Sequence, residues 1–406
     1  MLQSSWFGRL GTSRKDFFVV FILLFNTFAW YYMTLLVIND FLQTSNVASA
    51  EALTIWAVYY LSVVISSVFG AVLFKTRKLQ FLYAWMLLGT VSSLLPLLSS
   101  VNPHLWSFAL GCSLGVGMPV GLAFFADHSA VENRGRVGGI IFLAFYVSAA
   151  FFAVAFSLFD SAARSFLFAI WRGAGLLLFV ALKPKTITNT KEEKRISFIH
   201  VLKDKTLRLY LIPWVMFLLI DRFEGPVLGS YLNSPSLDTA VLLGPIVGSF
   251  AALFGGLLAD RIGRKRVVIG GFVALGLAYA VVGIAPDMLL SWYLYTVADG
   301  IAWGILLVTF LLTLWGDLAQ FGGKEKYYVI GGTPYYLTSI IELFVTAYAV
   351  QIPAYAAFSL ASFFLFLAVL PLLYAPETLP EKKIEARRLK GYIEQARKIR
   401  EKYPPS

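Results

Sequence analysis

Apolar residues come along this chain in runs of roughly twenty, the length a helix needs to cross a bilayer, and short polar breaks separate the runs. Twelve of them fall near 17–38, 52–74, 79–100, 104–126, 137–159, 163–182, 209–232, 239–259, 267–285, 289–316, 330–350 and 355–375. They predict an all-α polytopic membrane protein with twelve transmembrane helices. The first run follows a basic segment (Arg9, Arg14, Lys15) but is too long for a signal-peptide core and lacks a small-residue cleavage site, so it reads as a retained helix. Two longer polar stretches divide the chain. Residues 183–208, with Pro184 and the run Lys191-Glu192-Glu193-Lys194-Arg195, separate six runs from six, and 376–406 form a charged tail. The expected organisation is an N-terminal six-helix half (1–182), a linker (183–208), a C-terminal six-helix half (209–375) and the tail, where Glu394 and Lys398 are spaced to support a solvated helix.

The halves also match each other in order. Phe25-Asn26-Thr27-Phe28 parallels Ile220-Asp221-Arg222-Phe223 at an offset of 195, Phe69-Gly70-Ala71-Val72-Leu73 parallels Phe254-Gly255-Gly256-Leu257-Leu258 at 185, and Val137-Gly138-Gly139 parallels Ile330-Gly331-Gly332 at 193. Parallel repeats of this kind are a feature of some transporter folds.

Composition agrees with insertion in a membrane: 58% of residues are hydrophobic and 14% charged, against about 25% charged in soluble domains. The net charge of +11 would suit nucleic acid, but its distribution excludes that partner. Counted against the twelve runs, 31 of the 34 cations fall in the segments on one side, and only Arg164, Arg172 and Arg222 do not. By the positive-inside rule those segments are cytoplasmic, so both termini are expected in the cytoplasm of a cell-membrane protein. Cys112 is the lone cysteine and lies in an apolar run, so no intrachain disulfide forms; His104, His128 and His200 lack metal-ligand spacing. No metal or cofactor is expected. Neither a nucleophile with a base nor a phosphate loop is visible, which argues against an enzyme.

Chemistry is expected from ionisable side chains at membrane depth, which are expensive and usually face a cavity or the protein interior. Near the middle of the runs lie Arg172, Asp221, Arg222, Glu224, Asp299 and Glu342. In the second half, four acids face one base. Arg222 neutralises one carboxylate as charge partner, so the others are candidates for proton coupling, since burial and like charge both favour a protonated carboxyl. Asp221 and Glu224 share a helix face. The alternative for each acid is an interhelical hydrogen bond. Uncharged candidates for a solute cavity are Asn26, Trp30 and Tyr31 on the first helix, with Trp303 on the tenth; ordinary core packing is their other reading. Gly111, Gly115, Gly117 and Gly121 around Pro119 read as a close helix contact.

After the eighth run comes Gly256-x-x-x-Asp260-Arg261-x-Gly263-Arg264-Lys265. This loop resembles the signature loop of the major facilitator superfamily of secondary transporters, which follows the second helix of a six-helix half. The first-half counterpart is degraded to Lys75-Thr76-Arg77-Lys78, with Lys75 at the place of the Asp. Residues 127–139, with Arg134-Gly135-Arg136, are similar to the family's connection between helices 4 and 5, and Ala375-Pro376-Glu377-Thr378-Leu379-Pro380 is similar to the ending of sugar-porter-like branches. The resemblance implies alternating access, with helices 1, 4, 7 and 10 around a central cavity; a small solute, protons and lipid as partners; and a monomer. It also implies a latch from Asp260 to the start of helix 5, where Arg136 stands. Trp171-Arg172 resembles a family pair on helix 6, where a structural role is expected. Drug antiporters of the family carry an Arg where this chain has Gly111, and a Gly-Pro motif on helix 5, where residues 137–159 hold no proline. Proton symport is therefore the first reading, efflux of amphipathic compounds the second, and a polytopic enzyme or sensor the reading from another class.

Overall fold

The computed structural model describes residues 12–73, 77–98, 100–185, 196–232, 238–319 and 322–380, with isolated positions of the tail. Lys75, the linker run 191–195 and the Glu394 and Lys398 pair lie outside them.

The described chain is helical throughout. The long helices are α1 (Arg14–Thr44), α2 (Ser49–Leu73), α3 (Lys78–Ser92), α4 (Pro103–His128), α5 (Arg134–Leu158) and α6 (Ser161–Ala181). A short helix, Phe198–Lys203, precedes α7 (Lys205–Leu232), α8 (Asp238–Ile262), α9 (Arg264–Ile284), α10 (Leu289–Leu318), α11 (Lys324–Ala349) and α12 (Ala354–Tyr374). Local chemistry sets the starts. Asp160 accepts from the Ala163 amide at 2.7 Å ahead of α6, and Asn102 caps α4 with Pro103 in its first turn, where a missing N–H costs nothing.

Ten of these helices are long and apolar enough to cross a membrane. The other two, α7 and α11, fall short because α7 carries Asp221, Arg222 and Glu224, and α11 carries Glu342 among its tyrosines, glycines and proline. The outer surface is apolar in the way lipid requires: Leu158 is 77%, Leu177 72% and Ile284 83% exposed. Two helices depart from the expected runs. The third was expected to continue to 100, yet α3 ends at Ser92, and Leu95–Leu97 form a single tight turn around Pro96, because proline disfavours helical backbone in the residue before it and lacks a donor. In α10, residues Leu307–Thr313 are π-helical.

Packing repeats between the two sets of six. Within the first, α2 lies against α4; within the second, α8 lies against α10; across the two sets α5 packs on α8 and α2 on α11. Small residues make the crossings close. A Cβ on Gly256 of α8 would land on the Gly135 carbonyl of α5, and one on Gly139 would stand 2.6 Å from the Ala252 carbonyl oxygen. Such backbone approach replaces the hydrophobic drive that helices lack inside lipid.

Candidate functional site

Between α5, α7, α8 and α10 lies a cavity of about 300 Å³. Tyr146 contributes from α5, Leu228 from α7, Pro245 from α8, and Tyr295, Thr296, Asp299 and Trp303 from α10. The i,i+4 and i,i+8 spacing of Tyr295, Asp299 and Trp303 puts all three on one stripe of α10. Asp299 has one oxygen, Oδ1, that is buried without a hydrogen-bond partner.

The acids of α7 lie behind this wall. Asp221 accepts from Trp303 Nε1 at 3.0 Å. Glu224 is 3% exposed; its Oε1 accepts from the Tyr295 hydroxyl, while its Oε2 has no close partner and the Tyr279 hydroxyl faces the carboxyl at longer range. Both acids are thus one aromatic side chain away from the cavity. Arg222 turns elsewhere: its Nη1 meets Glu342 Oε2 at 3.1 Å, and its guanidinium lies 5.4 Å from the Tyr335 ring centre. Arg222, the base at membrane depth in the second half, is thus paired with Glu342 and attracted at longer range by Asp221, and no ion pair to Glu224 or Asp299 is found among the described residues. Tyr31 joins this region from α1, with ring contacts at 6.3 Å to Tyr335 and 6.1 Å to Tyr336.

Two expected cavity residues are engaged elsewhere. Asn26 donates to the Trp171 carbonyl at 2.8 Å and accepts from Arg172 Nη1 at 2.9 Å. Trp30 is fully buried and donates to Ser93 Oγ at 2.7 Å. Both serve Arg172, whose guanidinium is clasped between the Trp30 and Trp85 rings at 4.6 and 4.8 Å. These rings and the Thr27 hydroxyl, 2.9 Å from Nη1, take the place of an acid in holding the charge.

The signature loop forms a second site at the basic end of the bundle. Asp260, fully buried, accepts from the Gly135 and Arg136 amides at 3.0 and 2.8 Å, so its carboxylate caps the start of α5. The Arg136 side chain stands further off, with Nε at 3.7 Å. Arg264 binds Asp260 at 2.7 Å, Asp317 at 3.2 Å and the Val131 carbonyl at 2.6 Å. Gly263 has φ +106, which a side chain would oppose. Arg261 is exposed, and Lys265 Nζ donates to the Leu373 carbonyl at 2.7 Å. Glu377, from the Pro-Glu-Thr ending, accepts from the Arg264 and Lys265 amides at 2.8 and 3.2 Å and so caps α9.

Other members of this site were not anticipated. Asp317, at the end of α10, pairs with Arg134 of α5 as well as Arg264 of α9. Asp127, at the end of α4, pairs with Lys324 of α11 and with Lys78 of α3 at 3.2 Å; Lys78 also meets Glu325 at 2.8 Å. The two clamps are copies. Each acid ends a helix, takes one cation from its own set of six, and takes a second from the opposite set, namely the cation that stands seven residues after the other acid. That seven-residue spacing, Asp127 to Arg134 and Asp317 to Lys324, was the available signal.

Comparison with known proteins follows from this architecture. Among curated proteins no sequence match is found. Among solved structures, the fold resembles the proton:xylose symporter XylE bound to 6-bromo-6-deoxy-D-glucose, with TM-score 0.69 and 13% identity over 92% of this chain and 98% of that one. It also resembles a bacterial homologue of the iron transporter ferroportin in an outward-facing state, with TM-score 0.68 and 14% identity over 88% and 99%. The human organic anion transporter MFSD10 gives TM-score 0.65 and 15% identity over 88% and 99%. At such identities the likeness is one of fold. The sequence model of the Major Facilitator Superfamily, however, matches residues 17–319, which include the signature loop, the paired acids and the cavity. With twelve helices, two sets of six and that match over most of its length, the chain belongs to the Major Facilitator Superfamily and is a multi-pass membrane transporter, not an enzyme.

Proposed function

We propose that the chain is a proton-coupled symporter of a small organic solute, working by alternating access between two halves, 1–182 and 209–375, as a monomer in the cell membrane with both termini cytoplasmic. Residues 183–208 serve as linker and 376–406 as cytoplasmic tail. The observation that carries the reading is Glu224: a carboxyl sealed from solvent, with one oxygen lacking a close partner and the other on Tyr295, which itself lines the cavity. An isolated carboxylate in such surroundings is tolerated only when something neutralises it. The nearby base, Arg222, is engaged by Glu342. A proton that comes and goes supplies that neutralisation, and Tyr295 gives it a route to the solute. Asp221 is the further coupling acid, Asp299 faces the cavity, and Glu342 sets the position of Arg222.

Both charge clamps are joined, which supports reading the basic end as the closed one. On the positive-inside reading this end is cytoplasmic, and the cavity lies on its outer side. The test is made in liposomes with a pH dye inside. Each solute that raises the melting temperature of the purified protein is added to wild type and to Glu224→Gln. Wild type should acidify the lumen on solute entry, and the variant should keep solute exchange while losing proton movement. Unchanged proton movement in the variant removes Glu224 from the coupling, and solute entry without proton movement in wild type makes the protein a uniporter.

A further inference from the structure

We infer that the solute of this cavity is an organic cation of the alkylammonium class, held by the Asp299 carboxylate and the rings of Tyr146, Tyr295 and Trp303. This inference rests on the transport reading for its biological sense, and on the cavity alone for its chemistry.

Three properties of the cavity lead to it. Its size, about 300 Å³, is at the low end of ligand pockets and accommodates a small alkylammonium ion. Its walls come from three aromatic residues on two helices, with Leu228 and Pro245 completing an apolar lining. Rings around a cavity attract a cation through their negative faces, an arrangement used repeatedly to hold quaternary ammonium groups. Its carboxyl has no counter-charge at hand: Asp299 Oδ1 is buried with no partner, no cation is among the described lining residues, and Arg222 is paired with Glu342.

The competing ligand chemistries fit less well. An organic anion would be placed against Asp299, with Glu224 behind Tyr295 adding repulsion. A polyhydroxylated solute needs several convergent donors and acceptors, as buried polar groups must be satisfied. The described lining offers Thr296, two phenols, the Trp303 N–H already given to Asp221, and Asp299. No Asn or Gln is among the described lining residues. A metal ion is poorly served, because one carboxylate among rings falls short of the oxygen set that hard cations take.

Asp299 and Glu224 then divide the work. Asp299 borders the cavity and anchors the cation, whereas Glu224, screened by Tyr295, is left to carry the proton. Tyr295 touches both, so occupancy of the cavity and protonation of Glu224 are linked through one hydroxyl.

The test uses the full chain, purified in detergent, with choline and tetraethylammonium as probes. The control is the neutral carbon isostere of choline, in which a tert-butyl group replaces trimethylammonium. Wild type should show a saturable rise in melting temperature with an ammonium probe and none with the neutral isostere. Asp299→Asn and Trp303→Leu should each weaken the apparent affinity at least about tenfold, while Asp299→Glu retains binding. The charge comparison in wild type needs no variant, so misfolding of Asp299→Asn leaves it intact. Equal stabilisation by the neutral isostere, or none by either ammonium probe, overturns the ammonium assignment. Flux in liposomes separates this from the transport reading. Ammonium binding without transmembrane flux keeps the site and sinks the carrier, and proton-linked flux of some other solute without ammonium binding does the reverse.

Discussion

Asp317 on α10 receives the guanidinium of Arg134 on α5, and both side chains are almost completely buried, at 0% and 3% exposure. The same carboxylate takes Arg264 at 3.2 Å, so one acid satisfies two buried arginines. Removing one member of a buried ion pair leaves an uncompensated charge, which costs about 3–5 kcal/mol. Asp317→Asn should therefore lower the melting temperature strongly, or drive the protein to a form in which the basic end is open and hydrated. Asp127→Asn should cost clearly less, because Asp127, Lys78 and Lys324 keep 10%, 14% and 17% of their side chains exposed. Thermal melts of both variants, with labelling of cysteines placed beside the clamps, check the order. Equal losses would contradict the role given to burial.

Asp260 holds α5 by its backbone rather than by the Arg136 side chain. In Asp260→Asn the amide oxygen still accepts from one of the two amides at the start of α5, while the NH2 faces the other and the charge that Arg264 meets at 2.7 Å is gone. Turnover should fall roughly tenfold, the scale of a lost coupling of about 1.4 kcal/mol, with solute affinity unchanged. Counterflow and equilibrium binding measured on one preparation separate the two quantities. A loss of affinity at normal turnover would show that the loop contacts the solute site.

Gly256 and Gly270 provide a matched pair in neighbouring helices. A Cβ on Gly256 would strike the Gly135 carbonyl, backbone against backbone, whereas one on Gly270 meets nothing within 4 Å. Gly270→Ala should be neutral or stabilising by up to about 1 kcal/mol from helix propensity alone. Gly256→Ala should separate α5 from α8, lower the melting temperature by several degrees and impair cycling. Detergent-stability curves for the two alanine variants decide the matter.

Gly263 is constrained twice, by φ +106 and by the Glu377 carboxylate, which occupies the space a Cβ would need. Gly263→Ala should cost at least about 1–2 kcal/mol and release Glu377 from the start of α9. Glu377→Gln keeps one oxygen for the Arg264 amide but turns its NH2 toward the Lys265 amide and loses the charge, so it should cost about 1–2 kcal/mol. If both variants melt like wild type, the ending after α12 does not brace this turn.

Much of this was legible in the sequence for a simple reason: lipid demands long apolar helices, so the runs of apolar residues announce the spans. The acids of α7 and α10 were legible because charge at membrane depth is rare. The azimuth of a residue was not. A helix that is apolar all round does not announce its inner face by periodicity, so Asn26 and Trp30 read as cavity residues when they serve Arg172. The π segment Leu307–Thr313 carries no proline or glycine to mark it. Nor was it evident that Arg134, more than Arg136, would be the buried partner at the start of α5, since the two differ only in which way each faces. The acid-to-cation spacing of seven in both halves was present to be read, but only packing shows that each cation crosses to the other set.

The duplicated clamps bear on leakage, given the carrier reading proposed above. Each draws its second cation from the opposite set of helices, so they hold the same seam in parallel. Breaking one leaves the other closed, and a passage forms only when both release in the same excursion. Their weights then multiply, and a half-open form that would let ions slip through stays scarce. The repeat in the sequence is thereby a guarantee against uncoupled flow, since two copies of a modest lock fail together far less often than either fails alone.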